Sequence, residues 1–450
     1  MKLRTGLSFV RRGASNPREF GHRSSTYLMR HRDKLAGGAE QLLSSIISMV
    51  GLIVLSRSMD INAFGIVATA TGIWLIMEMV QHSLTINPFI LACPDTSRDR
   101  EGLGAWILWN LLVAAAFSGV FGVAGWLLLS TTPDFAHGLI ISGPLCLAGM
   151  LYMFARRLQY HVGNRRALLT QTLLYGISYL TGLLYLWMYV STPTPTEGGL
   201  VLICAFAVPA AIMTVPMVRQ ARFPLDFLSH IKQSWRLISE LGAAGMIWQL
   251  SYTVTLLALS ILSTPAAVAI FTVTRTLVRP ITLVMATISD VELSKASRAF
   301  TAEGTVGVAR VAHNVRVALA LFTALPIAAL LIFPGFFLSL VYGVQYADAT
   351  LELRLRVLLF IPLIYLSPLD LALSIVRDTR FLVGVYFLSL IAGTGYLAVA
   401  YYLDALDASA ALASLVIARV VALPLLHRRY TLKILRGSPV APADGLPSNA

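Results

Sequence analysis

Two arginines four residues apart, Arg275 and Arg279, stand in an otherwise uncharged stretch that runs from Val268 to Ile288. In a helix that spacing puts both side chains on one face. A guanidinium fork binds phosphate oxygens in bidentate fashion, so the pair points to an anionic ligand. A charge within a membrane span costs roughly 2.5–3.5 kcal/mol on insertion scales, so each arginine needs a ligand, a water-filled cavity or an acid on a neighbouring helix. The last of these would make the pair packing glue. Pro280 follows at once and removes an i to i−4 hydrogen bond, which predicts a hinge.

The other charges in apolar stretches are few. Glu78 and His82 form a second i, i+4 pair, with Asn87-Pro88 beyond them where the helix is expected to end or kink. Glu78 could meet Arg275 across a cavity, make a structural ion pair, or bind a coupling proton or Na⁺ with His82 tuning it. Asp370 and Arg419 are the remaining candidates, either as a mutual salt bridge or with Asp370 as a coupling-ion site.

The elements that position these residues follow from composition. Of 450 residues 57% are hydrophobic and 13% charged, with a mean hydropathy of +0.74. Apolar runs recur along nearly the whole chain, which assigns it to the lipid bilayer instead of to water. A span of about 20 apolar residues crosses the hydrocarbon core. Dividing the chain at its polar breaks predicts twelve spans, at 38–56, 62–90, 103–129, 139–155, 167–190, 200–218, 241–262, 266–289, 315–341, 357–376, 381–402 and 410–426. The expected fold is therefore an all-α bundle of helical hairpins, two of them closed by Ser191-Thr192-Pro193 and Ser263-Thr264-Pro265.

Orientation follows from the basic residues. With the amino terminus inside, 29 of the 35 Lys and Arg fall on the cytoplasmic side, against Arg57, Arg354 and Arg356 opposite. The opposite side is acidic, with Asp60, Asp134, Glu197, Asp348, Glu352, Asp404 and Asp407, so both termini are expected in the cytoplasm. The division is a basic extension at 1–35, a six-helix lobe at 36–218, a cytoplasmic linker at 219–240, a second lobe at 241–426, and a basic then disordered tail at 427–450. Residues 1–35 have no apolar region of the kind a cleaved signal carries. The net charge of +13 is spread between spans instead of lining one soluble domain, so it reports topology and not nucleic acid. Cys93, Cys146 and Cys204 lack the paired spacing of a zinc site or disulfide framework and are read as small core residues.

The halves repeat weakly. Gln41-Leu42 parallels Gln249-Leu250, and the run Ala63 to Thr69 parallels Ala267 to Val273. Six spans per half make this a parallel duplication about an axis along the membrane normal, with two bundles facing each other across a cavity.

The pattern Gln41…Leu55-Ser56-Arg57…Ala63-Phe64-Gly65 resembles the opening hairpin of O-antigen and exopolysaccharide flippases, with Arg275-x-x-x-Arg279-Pro280, length and span count in keeping. These flippases form the polysaccharide-export branch of the superfamily that also contains the multidrug and toxin extrusion (MATE) transporters and the lipid II flippases. The resemblance implies two six-helix lobes that move lipid-diphosphate-linked sugars outward by alternating access. Arg275 and Arg279 would then hold the diphosphate of a polyprenyl carrier. Trp74, Tyr175, Tyr179, Tyr185, Trp187 and Trp248 could stack on sugars, although most are expected to face lipid or form an interfacial belt. Trp248, Gln249 and Tyr252, early in the second lobe, are the further cavity candidates. Partners would be the lipid-linked oligosaccharide, membrane lipids, and glycan polymerase and export proteins at a bacterial inner membrane. No cofactor is expected beyond coupling Na⁺ or H⁺.

Two rivals remain at this level. A multidrug exporter of the same superfamily would need an acidic, aromatic cavity, and 41–55 holds no acid of the kind such relatives carry in the first span. A membrane glycan polymerase or glycosyltransferase generally needs a sizeable outer loop for acid/base chemistry, whereas the longest here, at 342–355, is short. No G-x-x-x-x-G-K-[ST] loop is present to hydrolyse ATP.

Overall fold

The computed structural model describes residues 39–93, 99–376 and 378–435, and the expected extension at 1–35 and the end of the tail lie outside them. Among the described residues all regular structure is helical. The first half holds α1 (Ala39–Ser58), α2 (Ile61–Gln81), α3 (Arg100–Leu128), α4 (Pro133–Val162), α5 (Arg165–Tyr189) and α6 (Pro195–Gln220). The short α7 (Phe227–Gln233) leads into the second half, with α8 (Trp235–Leu262), α9 (Pro265–Leu277), α10 (Arg279–Ile332), α11 (Pro334–Tyr342), α12 (Thr350–Leu358), α13 (Phe360–Ile375), α14 (Thr379–Tyr402) and α15 (Ala408–Tyr430).

Helix starts are written locally. Asp60, Asp99, Asn164, Thr194, Thr264 and Asp407 each accept a backbone N–H of the helix that follows, and Thr194 with Glu197 closes a capping box. Proline occupies the first turn at Pro133, Pro195, Pro265 and Pro334, where its missing N–H costs nothing. Such caps allow hairpin turns of a few residues.

The chain is a multi-pass membrane protein. Ten described helices are long and apolar enough to cross a bilayer, and an eleventh span forms if α9 and the start of α10, bent by 47°, count as one. The apolar segment Leu250–Leu262 of α8 occupies the place of the expected seventh span.

Several boundaries differ from expectation. α2 does not stop at Asn87-Pro88; a π turn at His82–Ile86 absorbs the proline and the helix continues through Asn87–Ala92. The expected connection at 290–314 is helical, since α10 runs through it with one break at Gly304, whose φ of 61° only glycine adopts freely. Residues 427–435 are helix instead of tail, ending in a π turn at Thr431–Leu435. The linker contains α7 and the start of α8.

In the first half α4 packs on α2, α3 and α6, and α5 on α6; in the second α15 packs on α13 and α14, and α10 on α13. The halves meet along α2, which packs on α8 and α9. α2 and α9 are the helices that carry the sequence repeat, so the duplicated elements form the seam. Gly65 lets them touch: a Cβ there would lie 1.9 Å from the carbonyl oxygen of Pro265. This gives a physical reason for the Phe64-Gly65 step in the opening hairpin.

Candidate functional site

Beside that seam the first half encloses a cavity of about 150 Å³. Its walls are aromatic: Trp74, Tyr152, Tyr175, Tyr179 and Phe206 line it, with Tyr175 and Phe206 stacked at 5.2 Å between ring centroids. The Ser48 and Tyr175 hydroxyls lie 3.1 Å apart, fixing α1 to α5. Trp74, Tyr175 and Tyr179 are thus buried cavity residues, not lipid-facing ones, whereas Tyr185 and Trp187 are exposed as a belt requires.

Glu78, Arg156 and Arg279 also line the cavity. Glu78 makes no salt bridge among the described residues, but Arg157, Arg156, Arg279 and Arg275 all face it electrostatically. Its i, i+4 neighbour His82 turns instead to Arg157, with Nη2 and Nε2 3.3 Å apart. Arg156 is neutralised by Glu40, which is only 3% exposed and accepts from Arg156 Nε and Nη2 at 3.1 and 3.0 Å and from Tyr160 and Thr172. Glu40 went unremarked in the sequence because nothing local to it announces a partner more than 100 residues away.

Arg275 and Arg279 do not sit on one straight helix face. The 47° break falls between them at Val278, and Pro280 stands in the first turn of α10 beyond the bend. A bend therefore lies beside Pro280, and it separates the two arginines. Arg279 lines the cavity, and it also lines a groove of about 500 Å³ between α1 and the start of α10, walled by Leu42, Ile46, Met49, Leu283, Val284 and Phe322 among others.

Arg275 donates to the Tyr252 hydroxyl at 2.8 Å and lies 4.6 Å over its ring. Tyr252 in turn packs on Phe271, centroids 5.5 Å apart, and Arg356 lies 4.3 Å over the Phe271 ring. Arg356 was expected in an outer loop; it is in α12, 4% exposed. No carboxylate pairs with Arg275, Arg279 or Arg356 among the described residues, although burying an unpaired ion costs several kcal/mol. The acid that faces Arg279 and Arg275 is Glu78, across the cavity and without a direct salt bridge.

Asp370, Tyr386 and Arg419 meet elsewhere, within the second half: Tyr386 hydrogen-bonds the Asp370 carboxylate, Arg419 faces it, and Asp370 Oδ1 lacks a hydrogen-bond partner. The side chains of Trp248 and Gln249 lie outside the described residues. Cys93 and Cys146 are buried as expected, but Cys204 is exposed.

The end of the bundle opposite the Glu40–Arg156 pair is latched. Arg57 Nε donates to Val341 O at 2.8 Å and Nη2 donates to Leu340 O, so a cation meets the open carbonyls of α11. Gln345 Nε2 returns the contact to Ser56 O at 2.7 Å. Thr69 Oγ1 donates to Ser260 Oγ at 3.4 Å across the same seam.

No family model and no curated protein matches the sequence. Solved structures do match. The lipid II flippase MurJ in an inward closed conformation superposes with a TM-score of 0.70 at 12% identity, over 87% of each chain. The chain has the MurJ and MATE fold. An inward-facing multidrug resistance MATE family transporter of the MOP superfamily gives 0.66 at 10% identity, over 88% of this chain and 96% of that one. A MOP superfamily transporter from Pyrococcus furiosus, described by the reversed polarity of its binding pocket, gives 0.56 at 13% identity over 88% and 96%. At these identities the likeness is one of fold alone.

Proposed function

We propose that the chain is a flippase that carries polyprenyl-diphosphate-linked oligosaccharide, an O-antigen or exopolysaccharide repeat unit, across a bacterial inner membrane with both termini in the cytoplasm. The observation that carries this reading is the double position of Arg279. It stands where an apolar groove between the halves meets an aromatic, charged cavity. A lipid-linked sugar has the same division: the tail fits the groove, the diphosphate meets Arg279 and Arg275, and sugars stack on Trp74 and Tyr175. A cavity of about 150 Å³ is below the range of roughly 300–1,000 Å³ that small ligands occupy, so the halves must part to admit an oligosaccharide. The bend before Pro280 and the latch at Arg57 are the elements that would change in that alternating access. Coupling Na⁺ or H⁺ belongs at Glu78 or Asp370. Glycan polymerase and export proteins would take the product.

The multidrug reading has one observation in its favour, the aromatic cavity with Glu78 in its wall. Four arginines face that single carboxylate, and their field repels cationic drugs. The proposal is tested by replacing Arg275 and Arg279 with Ala in a deletion background and measuring surface polysaccharide with the lipid-linked precursor. Normal amounts of protein with lost polymer and accumulated precursor support it; undiminished export removes the anion site and the reading with it.

A further inference from the structure

Arg356 is not accounted for by the site above. It is buried with no carboxylate partner, its Nε has no hydrogen-bond partner, and its Nη2 donates to the Phe271 carbonyl at 3.1 Å. Glu352, four residues earlier on the same helix, makes no ion pair with it, although that spacing ordinarily brings such residues together. A desolvated guanidinium left in this way is poised for an anion that the described side chains do not supply.

Its depth is informative. The α8–α9 turn lies beside the α14–α15 turn, where Ser263 donates to the Leu406 carbonyl, and Leu351 of α12 lines a surface hollow with Asp404 and Asp407 of that same turn. α9 and α12 therefore start at one end of the bundle. Phe271 is six residues into α9 and Arg356 six into α12, each about 9 Å from that end at a rise of 1.5 Å per residue. Arg275 comes one further step of about 6 Å inward, and Arg279 follows beyond the bend at Val278. Arg356 on α12, Arg275 on α9 and Arg279 beyond the bend at the start of α10 form a broken ladder, and Arg275 and Arg356 are joined through the Tyr252 and Phe271 rings, each cation over one ring and the rings in tilted contact.

We propose that Arg356 is a second anion-binding residue, which takes the substrate's diphosphate from Arg275 and Arg279 once the latched end opens and the Tyr252–Phe271 pair parts. This rests on the flippase reading and adds a direction to it: the inner arginines load the substrate, and the outer one draws it across.

The test uses the full-length protein with geranylgeranyl diphosphate as the probe, its binding measured in lipid nanodiscs and its translocation in proteoliposomes. Arg356→Gln keeps a donor for the Phe271 carbonyl but removes the charge, and Arg356→Lys keeps the charge. The Gln variant should bind within roughly threefold of the unmodified protein and translocate at least tenfold more slowly, because the lost contact belongs to the later step. The Lys variant should recover about a third or more of the rate, since charge is the shared property. Equal behaviour of Gln and Lys, an undiminished rate in Gln, or failure of both variants to fold would make Arg356 a packing residue and overturn the proposal. Arg279→Ala separates the two claims. If it abolishes binding while Arg356→Gln changes nothing, only the ladder falls; if the unmodified protein does not bind the probe, the flippase reading falls as well.

Discussion

Removing Glu40 should undo the first half at the end where α1 begins. Its carboxylate accepts from Arg156, Tyr160 and Thr172 and ties them together, with Glu40 and Arg156 only 3% and 11% exposed. Glu40→Ala leaves the Arg156 guanidinium buried and unpaired, which costs about 3–5 kcal/mol by comparison with other broken buried pairs. Arg156→Ala strands the carboxylate and should cost a similar amount. The double variant removes both charges, so its loss should be smaller than the sum of the singles by about 1–3 kcal/mol. The assay is denaturant-driven unfolding of the detergent-solubilised protein, followed by tryptophan fluorescence. Single variants within about 1 kcal/mol of the unmodified protein, or strictly additive losses, would refute the argument that this pair is desolvated and coupled.

Gly65→Ala places a methyl group against the Pro265 carbonyl and should force α2 and α9 apart, with a stability loss of about 1–3 kcal/mol in the same unfolding assay. Arg57→Ala combined with Gln345→Ala removes the interlobe contacts at the latched end; thiol labelling of a cysteine placed at Met59 should rise severalfold if those contacts hold the end shut. Asp378 is held below its ordinary value by hydrogen bonds from Arg429 and then Lys433. A depressed carboxylate adds stability above its unfolded value near 4 and loses it as pH falls through the folded value, so Asp378→Asn should flatten the fall in stability below about pH 4.

How much of this was legible in the sequence depends on whether the deciding contact is local. The spans could be placed because about 20 apolar residues in a row have few other uses, and turn caps such as Thr264 and Asp60 mark their starts. Arg275, Arg279 and Pro280 stood out as charges and a proline in apolar surroundings. The proline also marks the break at which α10 starts, but the reading of both arginines on one helix face ignores that break. Arg356 reads as a loop residue when the tenth span starts at 357, yet Leu353, Val357 and Phe360 continue a buried helical stripe backwards to Thr350. Glu40 carries no local signal because its partners lie on α4 and α5. The stretch at 290–314 is helical although too charged to pass as a span, and its buried Thr305, Val308, Val311 and Ala312 recur at helical spacing.

The central claim is that the groove and cavity joined at Arg279 select an amphipathic diphosphate. The most direct measurement is translocation by the purified protein in proteoliposomes, comparing a polyprenyl-diphosphate-linked disaccharide with a cationic dye. The account predicts movement of the lipid-linked sugar, lost in Arg279→Ala, and no movement of the dye. Dye transport that survives Arg279→Ala and is lost in Glu78→Gln would contradict it and make the carboxylate, not the arginines, the substrate's partner.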